Sequence, residues 1–140
     1  MSKRKFKLRK GWTKAMIMDA IRKGNDGTLS GVTSLEDLDG ITTCFYRSPK
    51  GNKCFIGCLI PDSIYESRME GNIIKELVVN MPHVEACLPF NNDHYIDDFG
   101  GTMYLREMFQ AIHDRYTDKY PSGLHEQAQS FLDNYYEDNP

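Results

Sequence analysis

Residues 44–62 read CFYRSPKGNKCFIGCLIPD, and they hold three of the four cysteines of a 140-residue chain. How this stretch is read decides the fold. Across residues 41–47 the side chains alternate. Ile41, Thr43, Phe45 and Arg47 point to one face, and Thr42, Cys44 and Tyr46 to the other, which is the period of a strand. Ser48-Pro49-Lys50-Gly51-Asn52 supplies turn chemistry, because proline fixes φ while glycine and asparagine tolerate positive φ. Residues 53–57 then read as the returning strand, with Cys54 and Ile56 on one face. Pro61-Asp62 ends the apolar run, and Asp62 stands where it could cap a short turn through residues 63–66. Two strands are marginal alone, so helices must cover this hairpin.

Working outward, four segments carry helical spacing. Trp12, Ala15, Met16, Ala20 and Lys23 share one side of the first, with Ile17 and Ile21 beside it, and Gly24 suits a left-handed C-cap. Ile73, Ile74, Leu77, Val78 and Met81 mark the second, stopped by Pro82. Leu105, Met108, Phe109, Ile112 and Tyr116 mark the third. Leu124, Ala128, Phe131, Leu132 and Tyr135 mark the fourth, with Ser122 as its N-cap. Residues 83–101 read as irregular. The expected architecture is α+β: one small domain of four helices around a central β-hairpin, with room for a third strand from residues 28–40 or from the N-terminus. The expected boundaries are a basic arm over 1–10, extended or disordered, a body over 11–136 and a frayed acidic tail over 137–140.

Composition narrows the class. Hydrophobic residues at 40% and aromatics at 11% suffice for one modest core. No apolar run approaches the roughly 18–20 residues that span a bilayer. No h-region follows the basic N-terminus, so no signal peptide is expected. Four cysteines without a secretory signal point to free thiols in a reducing cytoplasm. The net charge of −3 hides an asymmetry, since seven of the seventeen basic residues lie in the first fourteen positions and all twenty acids lie beyond them. Such an arm, residues 3–14, could contact nucleic acid, serve as a solubilising tail, or lie as a strap on the protein's own acidic face. The acidic C-terminal half, in turn, could imitate nucleic acid.

Several groups could carry chemistry. Cys54 and Cys58 at C-x3-C, with His83 and Cys87 at H-x3-C, have the ligand types and pairing of a structural zinc site; buried apolar thiols are the plainer reading. Cys58 with His113 could form a nucleophile–base pair, but neighbouring helix residues point about 100° apart, so Asp114 could not orient His113 from the side. Tyr46, Arg47, Lys53, Tyr65 and Arg68 gather positive charge and aromatic faces in an otherwise acidic body. Together with His113, at the edge of its helix's apolar stripe, they form the candidate site for an anionic ligand. No glycine-rich phosphate loop accompanies them.

The central stretch resembles a family of small tailed-phage and prophage proteins. The resemblance rests on Tyr46, Arg47, Gly51, Lys53, Cys54, Ile56, Gly57, Cys58, Leu59, Ile60, Pro61 and Asp62, then Met69-Glu70-Gly71, and a later helix with Phe109, Gln110, Ile112, His113 and Asp114. It covers roughly residues 41–116 and brings no catalytic residues. It implies a phage accessory product in the host cytoplasm, one that binds a host or anti-phage defence component, either a protein complex or a small anionic signalling nucleotide. A small cysteine-dependent enzyme is the alternative from another class, and nucleic-acid binding through the arm is a third. No cofactor is expected outside the zinc alternative.

Overall fold

The computed structural model describes residues 5–25, 32–33, 42–43, 46–47, 53–115 and 123–140. Its elements are β1 (Phe6–Lys7), α1 (Lys14–Gly24), β2 (Val32–Thr33), β3 (Thr42–Thr43), α2 (Phe55–Leu59), a 3-10 turn (Ser67–Met69), α3 (Ile74–Asn80), α4 (Pro82–Cys87), β4 (His94–Ile96), β5 (Thr102–Tyr104), α5 (Leu105–Arg115), α6 (Gly123–Tyr135) and β6 (Tyr136–Glu137). The chain is a small α+β domain. The turn at residues 48–52, Cys44 and the Ser122 cap lie outside the described residues.

The centre is a helix where the sequence pattern predicts a strand. Phe55, Ile56, Gly57 and Leu59 are all buried in α2, which packs on α1 and α5. A short run that is apolar on every side has no period to read, so strand and helix cannot be separated by spacing. Capping settles it. The Cys54 Sγ accepts the Gly57 N–H at 3.3 Å, and the Gln110 side-chain oxygen accepts the Ile56 N–H at 3.1 Å. Two of the orphan donors of the first turn are thereby satisfied. Of the expected hairpin there remains one antiparallel bridge, Arg47 with Lys53. The strand at residues 42–43 pairs instead with Val32–Thr33, so the third strand expected from residues 28–40 is there.

Glycine 57 explains why α2 can sit so deep. A Cβ there would collide with the carbonyl oxygen of Tyr46, with the carbonyl carbon at 2.7 Å and Cα at 3.0 Å. Gly24 serves α1 in the same way. Asn25, in extended conformation at φ −137°, is the C-cap, and Gly24 makes room for the Cys58 sulfur, 2.8 Å from where a Cβ would stand. The buried face of α1 is Ile17, Met18 and Ile21, whereas Met16 is exposed.

Beneath these helices lies an aromatic core. Phe109 contacts Phe55, Phe90 and Phe131 with ring centroids 5.2, 5.3 and 5.5 Å away, and Phe90 reaches Tyr136 at 5.0 Å. α5 and α6 supply Leu105, Leu124, Ala128 and Leu132 as their spacing predicts. Pro82 does end α3, but it also occupies the first turn of α4, where its missing N–H costs nothing. Residues 83–101, expected to be irregular, hold α4 and the first strand of an antiparallel pair, β4 with β5.

The two ends of the chain close on each other. β1 pairs in parallel with β6, Leu8 is buried, and Trp12 bridges to Asn139. Asn139 donates its N–H to the Trp12 carbonyl at 2.8 Å and its side-chain amide to the Leu8 carbonyl at 3.0 Å. The expected frayed tail is therefore tied down, and residues 5–10 of the arm form an ordered strap. Neither end has a hydrophobic period to announce this, because the pairing partner is more than a hundred residues away.

Candidate functional site

Tyr46 and Arg47 are positioned by a single carboxylate. Glu70, just after the 3-10 turn, accepts the Tyr46 N–H at 2.8 Å, the Arg47 N–H at 3.1 Å and the Tyr65 hydroxyl at 2.5 Å. Gly71 follows at φ +84°, the left-handed region glycine tolerates. The Tyr46 hydroxyl donates to the Asn72 carbonyl at 2.7 Å. Met69-Glu70-Gly71 is thus a clamp: a buried methionine, a carboxylate that accepts three donors, and a glycine that turns the chain away.

The clamp fixes Arg47 in a small seat where its guanidinium, the Lys53 ammonium and the Asp62 carboxylate meet. The guanidinium lies 4.4 Å from the centre of the Tyr65 ring, a cation–π arrangement. One of its terminal nitrogens donates to the Ile60 carbonyl at 2.9 Å and pairs with the Asp62 carboxylate at 2.7 Å. Its Nε is buried with no hydrogen-bond partner among the described residues. Lys53 reaches the same Asp62 oxygen at 3.9 Å. The two partners differ sharply in exposure, since the Arg47 side chain is 19% exposed and that of Asp62 is 86% exposed. An exposed, single carboxylate therefore occupies the point where a fixed arginine and a lysine converge. Asp62 serves here, and not as the cap of the following turn. Burial first, then the bond and charge of Glu70, push the Tyr65 hydroxyl up to about 12, with Arg47 acting against them. Tyr65 stays neutral and its ring remains a cation platform. Arg68 stands apart, paired with Glu66 at 2.9 Å on the surface. The side chain of His113 lies outside the described residues.

The three described cysteines bond within or beside helices. Cys54 caps α2. The Cys58 thiol, now on a helix and not at a strand end, faces the Ile21 carbonyl at 3.9 Å and the Lys53 carbonyl at 3.8 Å. Burial pushes it up to about 12 against the opposing pull of Lys53 and Arg47, so at neutral pH it is a thiol and a poor nucleophile. Cys87 donates to the Val84 carbonyl at 3.0 Å within its own helix, and burial raises it too. The structure does not bring Cys54, Cys58, His83 and Cys87 together. Among the described residues no three His, Cys, Asp or Glu side chains form a metal-binding group.

One polar cluster has no signal in the sequence. Arg9 on the strap and Arg106 on α5 share the Glu85 carboxylate of α4. Arg106, only 6% exposed, also donates to Asn92 at 3.0 Å, and Arg9 donates to Asn91 at 2.9 Å and to the Leu88 carbonyl at 3.0 Å. Nearby, Asp93 accepts the Tyr136 hydroxyl at 3.0 Å. Burial holds Asp93 above the usual carboxylate range despite that bond and the adjacent arginines. A cleft of about 320 Å³ adjoins the cluster, lined by Ile74, Lys75, Val78, Tyr104, Arg106 and their neighbours. These residues lie far apart in sequence and share no period. The same contacts decide how the arm is used: Arg9 holds Glu85, Lys10 reaches the Pro140 carbonyl at 2.7 Å, and Lys14 pairs with Asp133 at 3.2 Å. Arg9 and Lys14 are thereby paired with acids of the protein's own surface.

No family model, curated protein or solved structure matches the chain. Among the described residues no helix is long and apolar enough to cross a membrane.

Proposed function

We propose that this chain is a non-enzymatic accessory protein of a tailed phage or prophage that acts by binding a host or defence component. The anionic group of that component would dock on Arg47, Lys53 and Tyr65. The observation that carries this reading is the exposed Asp62 carboxylate held at 2.7 Å from a clamped, ring-stacked arginine. A carboxylate there stands in for what the seat accepts, and because its side chain is 86% exposed, an incoming phosphate or carboxylate can displace it. An arginine and a lysine that converge on one oxygen complement either anion. The cysteine-enzyme alternative draws no support from Cys58, whose half-buried thiol is pushed up to about 12 by desolvation. The nucleic-acid alternative keeps only the part of the arm not spent on Glu85, Asp133 and the C-terminus.

The test is capture from host lysate with the full chain, followed by mass spectrometry of both the proteins and the small molecules released on denaturation. Lys53→Glu, which places a second negative charge at the seat, is expected to abolish capture while leaving the melting temperature unchanged. Equal capture by this variant removes the seat from the account.

A further inference from the structure

We propose that the turn joining β4 to β5 is a docking finger: Phe99 enters an apolar pocket on a protein partner whose pocket rim carries lysine or arginine. This rests on the binding reading above and gives that binding a second, separate contact point.

Phe99 is 97% exposed, and Ile96 at the strand end below it is 62% exposed. A tight turn makes no demand for phenylalanine, and a ring wholly in water adds nothing to folding, so the fold offers no reason for it. The turn that carries it is unusually well fixed. The backbone closes through Asp97 N–H to the Gly101 carbonyl at 2.8 Å and Gly100 N–H to the Asp97 carbonyl at 3.1 Å. One Asp97 carboxylate oxygen accepts the N–H groups of both Phe99 and Gly101 at 2.8 Å. Gly100 holds φ +83°, and a Cβ on Gly101 would stand 2.7 Å from the other Asp97 oxygen. Below the turn, Tyr95 packs on Phe6 at 5.2 Å and on Tyr135 at 5.7 Å, which anchors the strands to the core. An aromatic side chain on a rigid, core-anchored turn is a low-entropy interface anchor.

Charge selects the partner. Between residues 86 and 105 the sequence has no lysine or arginine, while Asp97 and Asp98 immediately precede Phe99 in the same turn. Like charge on a partner's rim would oppose docking and opposite charge would steer it. A second copy of this chain offers no net positive rim: the groove between α5 and α6 carries Glu107, and in the cleft beside Arg106 the two bases, Lys75 and Arg106, are matched by Glu85 and Glu107.

The experiment places the photo-reactive residue p-benzoylphenylalanine at position 99 of the full chain, with a control at exposed Val79, and irradiates the complex formed in host lysate. A cross-link from position 99 is expected to map to an apolar pocket bordered by lysine or arginine. Phe99→Ala is expected to reduce capture of the same protein about thirtyfold, the scale of an interface hot spot. Its melting temperature should match wild type, since the ring contacts only water. Undiminished capture by Phe99→Ala, or cross-linking from position 79 alone, overturns the finger and leaves the binding reading intact. Cross-linking to a second copy of this chain, or to an acidic rim, also overturns it. If the wild-type chain captures no protein at all, the finger fails, while the anion seat is still judged by the small molecules released.

Discussion

Replacing Gly57 by alanine separates a buried helix at the centre from every looser arrangement. In an open helix interior the substitution stabilises by about 1 kcal/mol, because alanine loses less backbone entropy than glycine. Here the new methyl meets the Tyr46 carbonyl group, whose carbon lies 2.7 Å away. That obstacle is backbone and cannot rotate aside, because the N–H groups of Tyr46 and Arg47 are both held by Glu70. Overpacking costs about 1–3 kcal/mol, and a fixed backbone obstacle belongs at the upper end. The opposing terms leave a net loss of about 2 kcal/mol, which for a chain of this size lowers the melting temperature by about 7 °C. Thermal and urea unfolding of Gly57→Ala beside wild type read this directly. A variant as stable as wild type, or more stable, refutes the close approach of α2 to Tyr46 and with it the central packing.

Three further outcomes follow from the closed termini and from the hydroxyl and thiol groups that desolvation shifts. Deleting residues 138–140 removes the Asn139 bonds to Trp12, Leu8 and Gly11, along with the exposed bonds of Asp138 to the Lys14 N–H and of Lys10 to the Pro140 carbonyl; at about 1 kcal/mol for each of the Asn139 bonds, urea unfolding should show a loss of at least about 3 kcal/mol, whereas a free tail would give none. Stability should also be level from pH 7 to 9 and fall above it. Cys58 and Tyr65 are both raised to about 12, and Tyr136 is raised further by burial and Asp93. The folded state therefore holds these protons more tightly than the unfolded chain, and the stability they add is lost as pH climbs from their ordinary values through the folded ones. Circular dichroism against pH measures the fall, and iodoacetamide at pH 8 should leave Cys58 unmodified while the protein stays folded.

The sequence disclosed those parts of the fold whose signals are local. α5 and α6 bury Leu105, Phe109, Leu124, Ala128, Phe131 and Leu132 at the spacing a single buried face requires. The α2 region misled because Phe55, Ile56 and Leu59 are apolar all round, cysteine is an uncommon N-cap, and the second capping bond comes from Gln110, fifty-four positions from Ile56. The strap, the tied tail and the Arg9–Glu85–Arg106 cluster were illegible for the same reason, since each joins residues distant in sequence. The candidate site was half legible. Arg47, Lys53 and Tyr65 come together, whereas Tyr46 is buried with its hydroxyl on the Asn72 carbonyl, and nothing local revealed that Asp62 pairs with Arg47 or that Glu70 holds the backbone there. Arg68, grouped with them by proximity in sequence, turns outward to Glu66.

The claim that Asp62 occupies an anion seat is tested most directly by titrating inorganic pyrophosphate into the wild-type chain and into Asp62→Ala, with backbone amide shifts followed by NMR. Removing an exposed competing carboxylate is worth about 1 kcal/mol, so Asp62→Ala should bind about fivefold more tightly. The shifts should centre on Arg47, Lys53 and Tyr65. Equal or weaker binding by Asp62→Ala, or shifts centred elsewhere on the molecule, would contradict the account.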